Sequence, residues 1–278
     1  MSNFISEDQI EQALMQKLQH LHGFDVLDCH TDNAEDLNDG SNRASKRDVI
    51  LIDRLREAVL RLNPDIPREA IESALEKLCE RRQAMTLIAA NQEIYGLLRD
   101  GIPVTFDNAQ GQSQQERVRL LDFNAPGNNR FLAVTQLWIK GERGFRRPDV
   151  LLYVNGIPLV FIELKNSNVK LRNAYDDNLT NYKAEIPQLF LTNAFCVLSN
   201  AVETRVGSIT AQWEHYFNWL RTDDEKQKID RAAIRAQGAS LEGVIEGLLP
   251  QQKLLDYVEN FVLYYKDTQK IIAQNHQF

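Results

Sequence analysis

Two short apolar runs separated by an Asn-Gly pair constrain the fold of this chain more than any other feature of its sequence. The runs cover 150–154 and 159–164, and Asn155 and Gly156 lie between them. Runs rich in β-branched and aromatic residues that flank Asn-Gly are typical of a tight β-hairpin. The sequence therefore predicts two antiparallel central strands, which bring Asp149 close to Glu163 and Lys165 at the open end of the hairpin.

The register of this hairpin decides whether its charged residues share a face. Glu163 and Lys165 point to the same side, because side chains alternate along a strand. A two-residue loop would place Asp149 opposite Ile162 and on the other face. Asp149 joins Glu163 only if the loop has an odd length or a strand contains a bulge. We predict a three-residue loop, Asn155–Ile157, which puts Asp149 directly across from Glu163.

Asp149 and Glu163 would then form a pair of like charges, which raise each other's pKa unless a cation lies between them. Mg²⁺ takes carboxylate and carbonyl oxygens and bridges readily to phosphate. We predict a magnesium site formed by Asp149, Glu163 and the carbonyl of Leu164, with Lys165 contacting a phosphate or orienting the attacking water. In the open alternative, Asp149 caps a turn while Glu163 and Lys165 form the solvated end of an edge strand.

Asp149 with Glu163-x-Lys165 resembles the PD-(D/E)xK nuclease pattern, and the surrounding sequence is similar to the N-terminal region of the restriction (motor) subunit of type I restriction enzymes. The resemblance covers about half of the chain in order. The residues that carry it are Asn91, Leu97–Gly101, Leu121–Phe123, Pro126, Asn128, Asn129, Phe131, Gln136, Arg147–Lys165, Phe195–Asn200 and Glu203–Gly207.

This resemblance implies an α/β fold, in which a restriction-endonuclease-like mixed sheet is flanked by helices and extended by helical N- and C-terminal segments. It implies Mg²⁺-dependent cleavage of double-stranded DNA, coupled to an ATP-driven translocase and assembled with methylase and specificity subunits. The chain has no G-x-x-x-x-G-K-[ST] loop, so ATP is expected only through motor domains outside this sequence. The alternative is a catalytically silent DNA-binding and coupling module with a nuclease-like fold.

The resemblance also suggests supporting residues. The family has a QxxxY motif after the lysine, and Asn178 stands here where Gln is expected, four residues before Tyr182. That spacing places both side chains on one helix face, although an ordinary surface pair stays open. Glu93 is a candidate for the carboxylate that the first helix of the nuclease fold lends, or else a surface residue. Gln136 either reaches the metal site or a nucleotide, or is a hydrogen-bonded core amide.

Charge is distributed unevenly along the chain. The formal net charge is -7, but residues 1–40 hold nine acidic residues and one basic residue, so the remainder is nearly neutral. Just before the hairpin, a basic stretch contains Lys140, Arg143, Arg146 and Arg147. Such a stretch is suited to DNA phosphates beside the carboxylates, with a solvated loop as the open alternative.

Apolar periodicity divides the chain into three parts. These are an acidic leader helix and linker at 1–46, an endonuclease domain at 47–220, and a linker with a helical extension toward a missing motor at 221–278. Predicted helices cover 6–20, 47–62, 67–79, 82–99, 212–220 and 241–266, with a further helix bearing Asn178; predicted strands cover 117–123, 131–139, 150–154, 159–165, 195–199 and 205–209. Residues 25–46 are predicted as a loop or flexible linker.

Targeting and redox signals are weak in this sequence. Three scattered cysteines lack C-x-x-C spacing, no signal peptide precedes residue 20, and no apolar run could span a bilayer. We therefore expect a cytoplasmic protein without a membrane partner and without a disulfide or zinc framework.

Overall fold

A seven-stranded mixed sheet forms the centre of this computed structural model, with helices packed on both of its faces. The structure describes residues 5–82, 84–108, 110–220 and 240–278, together with residues 222, 230 and 232. The strand order is β1-β4-β7-β8-β9-β10-β11, and β1–β4 and β8–β9 are the parallel pairs. The α/β fold class, a mixed sheet flanked by helices, is confirmed.

The helices and strands have the following bounds. The helices are α1 Glu7–His22, α2 Ile52–Leu62, α3 Arg68–Cys79, α4 Leu87–Asp100, α5 Thr180–Glu185, α6 Ser240–Gly247 and α7 Gln251–Asn260. The strands are β1 Asp25–Asp28, β2 Ile102–Asp107, β3 Ser113–Val118, β4 Phe131–Thr135, β5 Ile139–Lys140, β6 Phe145–Arg146, β7 Val150–Val154, β8 Ile157–Leu164, β9 Phe195–Ser199, β10 Thr204–Gly207, β11 Phe217–Asn218, β12 Val262–Tyr265 and β13 Gln269–Ile272.

The central hairpin, β7–β8, has a two-residue turn, so the predicted three-residue loop is wrong. Asn155 and Gly156 both have positive φ, at 51° and 81°, and Val154 pairs directly with Ile157. This is the backbone conformation that Asn-Gly favours in a hairpin. Turn chemistry therefore determines the loop length.

A β-bulge in β8 supplies the register shift that the turn does not. Leu152 pairs with Val160 whereas Tyr153 pairs with Pro158, which leaves Leu159 without a partner on β7. Proline donates no backbone hydrogen bond and is common at bulges. Beyond the bulge Val150 pairs with Ile162, so the next position along β7 is Asp149, opposite Glu163.

Residues 25–46 form a loop apart from β1, and buried ion pairs hold this loop. Asp39 accepts hydrogen bonds from Arg43 at 2.8 Å and from Lys46 at 2.6 Å, and all three side chains are buried. Burial alone would raise the pKa of Asp39, but these hydrogen bonds and those from Ser41 lower it to about 2. β1 pairs with β4 inside the main sheet. The proposed domain division at residue 46 stays a prediction.

Several predicted elements near the ends of the sheet are wrong. The predicted strand 117–123 contains only the end of β3, which pairs with β2 outside the main sheet. The predicted helix 212–220 is instead a 3₁₀ turn followed by the edge strand β11. The predicted helix 241–266 ends at Gly247 and restarts after Pro250, which cannot continue a helix, and its last residues form β12. Most of the predicted linker 221–238 lies outside the described residues.

The C-terminal hairpin β12–β13 is tied to the nuclease-like body through a buried lysine. Lys270 Nζ donates to Asn91 Oδ1 at 3.1 Å and also to the Asn193 carbonyl. Tyr264 OH donates to the same Asn91 oxygen at 2.7 Å. Burial lowers the pKa of Lys270 to about 7.

The described part of the chain contains no helix that is long and apolar enough to cross a membrane. The cytoplasmic location stays a prediction.

We predict that Gly156→Ala lowers the free energy of unfolding by about 3 kcal/mol, as measured by chemical denaturation. A Cβ at this position would lie 2.5 Å from the Leu51 carbonyl oxygen and 2.9 Å from the Leu55 nitrogen, and φ is positive. Gly111→Ala is the matched control, because Gly111 also has positive φ but no atom within 4 Å of the added carbon. It should lower the free energy of unfolding by about 1 kcal/mol. Equal losses would contradict the close packing of the turn against α2.

We predict that Lys270 makes the free energy of unfolding rise with pH between about 7 and 10.5. In this window the unfolded chain holds a proton on Lys270 that the folded chain has released. Stability therefore increases by about 1.4 kcal/mol per pH unit from this group. Denaturation at several pH values should show that the free energy of unfolding of the unmodified protein, taken relative to Lys270→Met, rises with this slope. The buried thiols of Cys29 and Cys196, whose pKa values burial raises, contribute equally to both proteins. The exposed lysine variant Lys77→Met should keep the slope; an unchanged slope in Lys270→Met would contradict the depressed pKa.

Candidate active site

The open end of the central hairpin brings Asp149, Glu163 and Lys165 together. Lys165 Nζ donates to Glu163 Oε1 at 3.0 Å and to the Leu164 carbonyl at 2.9 Å. The Leu164 N–H donates to Asp149 Oδ2 at 2.7 Å. The two carboxylates, the ammonium and one backbone carbonyl therefore belong to one connected group.

Both carboxylates of this group are destabilised as anions. Glu163 is 1% exposed, and its Oε2 has no hydrogen-bond partner. Burial and the nearby charge of Asp149 raise the pKa of Glu163 to about 8. Burial also raises the pKa of Asp149 to about 6, against the opposing effect of the Leu164 N–H. Burial disfavours the charge on Lys165, but Glu163, Asp149 and Glu7 together outweigh it and raise the pKa of that ammonium.

The donor set at this end of the hairpin fits a hard divalent cation. The described residues contain no group of three or more His, Cys, Asp or Glu side chains arranged as a metal site. The available oxygens come from two carboxylates and the Leu164 carbonyl, and one buried carboxylate oxygen is unpartnered. Mg²⁺ is commonly held by one or two carboxylates while it keeps several waters. The residues therefore suit magnesium better than a metal that needs a complete protein cage.

Helix α1 adds two carboxylates to the site, and sequence reasoning missed both. Glu11 Oε2 accepts a hydrogen bond from Gln136 Nε2 at 2.9 Å. Burial raises the pKa of Glu11 to about 7, and the charge of Asp149 contributes in the same direction. Glu7 Oε1 accepts the backbone N–H of Asn166 at 3.2 Å. The two acids lie one turn apart on α1, seven residues before the buried Leu14 and Leu18, so they lie on the helix face that packs against the rest of the protein. Acids on that face were the available signal.

Glu93 is not the carboxylate that a helix lends to this site. It lies on α4 and forms an ion pair with Arg82 at 3.0 Å, with 45% of its side chain exposed. The helix that contacts the site is α1, which the sequence analysis had assigned to the leader. The sequence analysis left a surface position open for Glu93, and this ion pair shows it in that position.

Gln136 lies at the border of the site rather than in the core. It follows β4 and has a positive φ of 57°, an unfavourable conformation for a residue with a side chain. Its amide donates to Glu11, and the charge of Asp149 helps to raise the pKa of that glutamate. Gln136 therefore orients a carboxylate next to the predicted metal ligands.

Asn178 and Tyr182 contact each other beside the site. Asn178 lies in a π-helical turn, Ala174–Leu179, that continues into α5. Burial and the charges of Glu163 and Asp149 raise the pKa of Tyr182, and a hydrogen bond with Asn178 opposes that rise. The Tyr182 hydroxyl donates to the Arg147 carbonyl at 3.2 Å. A π-helical turn at this place agrees with the frequent occurrence of such turns at functional sites.

The chain matches the family model for the type I restriction enzyme R protein N terminus over residues 4–215. It belongs to this family. The HindI endonuclease subunit of Haemophilus influenzae is 36% identical over 99% of the chain and 26% of that relative. A Methanocaldococcus jannaschii protein named MjaIXP endonuclease subunit is 29% identical over 99% of the chain and 27% of its own length. The chain thus spans about a quarter of the length of these relatives.

Two of the four residues in the basic stretch of this R protein N-terminal region form ion pairs within the chain. Lys140 pairs with Glu35 at 3.3 Å, and Arg146 pairs with Glu185 at 2.7 Å. Arg143 is exposed, and Arg147 lies over the ring of Trp138. The predicted DNA contacts of these four residues stay a prediction.

We predict that Glu163→Gln raises the free energy of unfolding at pH 7 in metal-free buffer by about 1 to 3 kcal/mol. The substitution replaces a buried carboxyl group that resists ionisation with a neutral amide of the same shape, which exchanges function for stability. Chemical denaturation with a chelator present measures the effect. Glu203→Gln is the control, because Glu203 pairs with Arg205 at a half-exposed position and should change stability little. A clear loss of stability in Glu163→Gln would show that its bond to Lys165 outweighs burial.

Proposed function

We propose that this R protein N-terminal region is a magnesium-dependent DNA endonuclease domain of the PD-(D/E)xK type. The observation that supports the proposal is the convergence of Asp149, Glu163 and Lys165 at one end of a buried hairpin. The relatives are named type I restriction enzyme endonuclease subunits, which agrees with nuclease chemistry at this place.

Asp149, Glu163 and the Leu164 carbonyl would hold the magnesium ion. When bound, the ion would acidify a coordinated water and offset charge at the scissile phosphate. Asp149 is oriented for this task by the Leu164 N–H, which fixes one of its oxygens and leaves the other available. Glu163 presents an unpartnered oxygen from a buried position, so little reorganisation is needed on binding.

Lys165 is the group that contacts the reacting phosphate or its attacking water. Its Nζ lies within hydrogen-bond distance of Glu163 Oε1 and the Leu164 carbonyl, which keeps the ammonium beside the proposed ligands. Neutralisation of these oxygens by an ion would release N–H groups of Lys165 for the phosphate. Gln136, through Glu11, and Asn178, through Tyr182, would support the arrangement from the two sides of the sheet.

We further propose that the full-length protein couples this cleavage to an ATP-driven translocase and acts with methylase and specificity subunits on double-stranded DNA. The support is family membership and the length of the relatives, of which the chain covers about a quarter. ATP would bind through the motor domains, and DNA would enter this domain from the assembled complex.

We predict that Asp149→Ala, Glu163→Ala and Lys165→Ala in the full-length subunit each lower DNA cleavage by roughly 10²-fold or more. Each removes a metal ligand or the cation that contacts the phosphate. ATP hydrolysis during translocation should persist, since it depends on other domains. The measurement is the loss of circular DNA and the release of phosphate by the same assembled complex.

The matched control is Glu72→Ala, which removes a carboxylate from an ion pair between α2 and α3 and should leave cleavage unchanged. If all three site variants cleave like the unmodified enzyme, the chain is the catalytically silent DNA-binding and coupling module. If ATP hydrolysis is lost together with cleavage, the variants have disrupted the assembly and the residues act through structure.

A further inference from the structure

The two-stranded ribbon β5–β6 precedes the site and fixes an arginine over an aromatic ring. Ile139 pairs with Arg146, so the next residues outward are Trp138 and Arg147. The guanidinium carbon of Arg147 lies 4.9 Å from the centroid of the Trp138 ring. The ring is held by a bond from Trp138 Nε1 to the Thr31 carbonyl at 3.4 Å and by an edge contact with Phe145. The Trp138 ring, itself held in place, therefore restricts where the side chain of Arg147 can lie at the surface.

The backbone of Arg147 is fixed to the site itself. Its carbonyl accepts the hydroxyl of Tyr182, which is 8% exposed and packs edge-on against Phe161 of β8. Arg147 comes two residues before Asp149, with the buried Pro148 between them. The charge of Arg147 is close enough to lower the pKa of the Asp149 carboxyl, against the larger effect of burial. Arg147 thus connects the Trp138 ring to the proposed metal ligands.

The guanidinium of Arg147 differs from the cations of Lys140 and Arg146 in what surrounds it. Lys140 and Arg146 have carboxylate partners. Within the described ranges, no hydrogen bond or ion pair engages the Arg147 guanidinium apart from its contact with the ring. A guanidinium that lies over an aromatic ring and has no carboxylate partner keeps N–H groups available, and their fork matches a phosphate.

We infer that Arg147 binds a backbone phosphate of the DNA next to the scissile bond, and that Trp138 is the positioning residue that aims its guanidinium. The inference rests on the proposed nuclease function, because the ligand is the phosphodiester chain that passes the Asp149 site. A phosphodiester fits better than an acidic side chain of a partner subunit, because Arg147 adjoins the residues that handle phosphate. Among the four residues of the predicted basic stretch, this inference assigns a specific phosphate contact to Arg147.

The test uses the full-length subunit in its complete complex with a circular DNA substrate. Arg147→Gln should lower the cleavage rate by roughly 10²-fold while ATP hydrolysis is unchanged. Arg147→Lys should restore only part of the rate, because an ammonium cannot form the fork. Trp138→Leu should lower the rate by about tenfold, and Trp138→Phe should restore most of it.

Two comparisons separate positioning from general stability. The double variant Trp138→Leu with Arg147→Gln should cleave no more slowly than Arg147→Gln alone, because Trp138 acts through Arg147. The control is another arginine over a tryptophan ring: Arg205 lies on β10, three places from β7 in the sheet, with its guanidinium carbon 4.2 Å from the centroid of Trp213. Unlike Arg147, Arg205 also pairs with a carboxylate, that of Glu203. Arg205→Gln and Trp213→Leu should leave cleavage unchanged.

The outcomes distinguish this inference from the function on which it rests. Normal cleavage by Arg147→Gln, when Asp149→Ala is inactive, would overturn the inference and leave the nuclease assignment standing. Additive losses in the double variant would overturn the role of Trp138. Loss of complex assembly in Arg147→Gln would assign the arginine to a partner subunit and likewise overturn the inference. Normal cleavage by Asp149→Ala would remove the proposed function, and the inference with it.

Discussion

The bulge in β8 sets the position of Asp149 relative to Glu163 and Lys165 at the open end of the central hairpin. Without the extra residue at Leu159, the Asn-Gly turn would place Asp149 opposite Ile162 and on the other face of the sheet. The bulged backbone is itself held, because the Leu159 carbonyl accepts the N–H of Ala194 at 2.7 Å and the Pro158 carbonyl accepts Thr192 Oγ1 at 2.6 Å. The segment before β9 therefore stabilises the register on which the candidate site depends.

Burial disfavours the charged forms of the carboxyl groups at this site, and this makes the site suited to bind a cation. A buried glutamate with an unpartnered oxygen is expensive to keep in a folded protein. Asp149 and Glu11 have raised pKa values as well, and Glu7 adds a further carboxyl group near the one ammonium, that of Lys165. Such perturbed groups are concentrated at functional sites, and a bound cation would relieve their repulsion. The rest of the fold, with its extensive buried core, offsets this local cost.

The sequence predicted the hairpin and the position of Asp149 opposite Glu163 correctly. It attributed this register to a three-residue loop, whereas the structure has a two-residue turn and a bulge. Pro158 was the missed signal, since proline in a central strand indicates a bulge. The acids of α1 were missed because this helix had been assigned to the leader, although they lie on the side of the helix that its buried residues occupy. β1 escaped detection because three of its four residues are exposed and show no alternation. Pro250 was a visible signal for the end of the predicted helix 241–266. The edge strand β11 had no such signal, because it forms only through its pairing with β10.

The contact between α1 and the end of β8 ties the first helix of the chain to a segment 159 residues later. The Ile5 N–H also donates to Ser167 Oγ at 2.8 Å, and the Ser167 N–H returns a bond to the Ile5 carbonyl. During synthesis α1 leaves the ribosome long before Asn166 has been added to the chain. Glu7 therefore lacks its hydrogen-bond partner until that later stage. A growing polypeptide thus has no complete acidic centre until most of this region has been made, and a truncated translation product would lack one altogether.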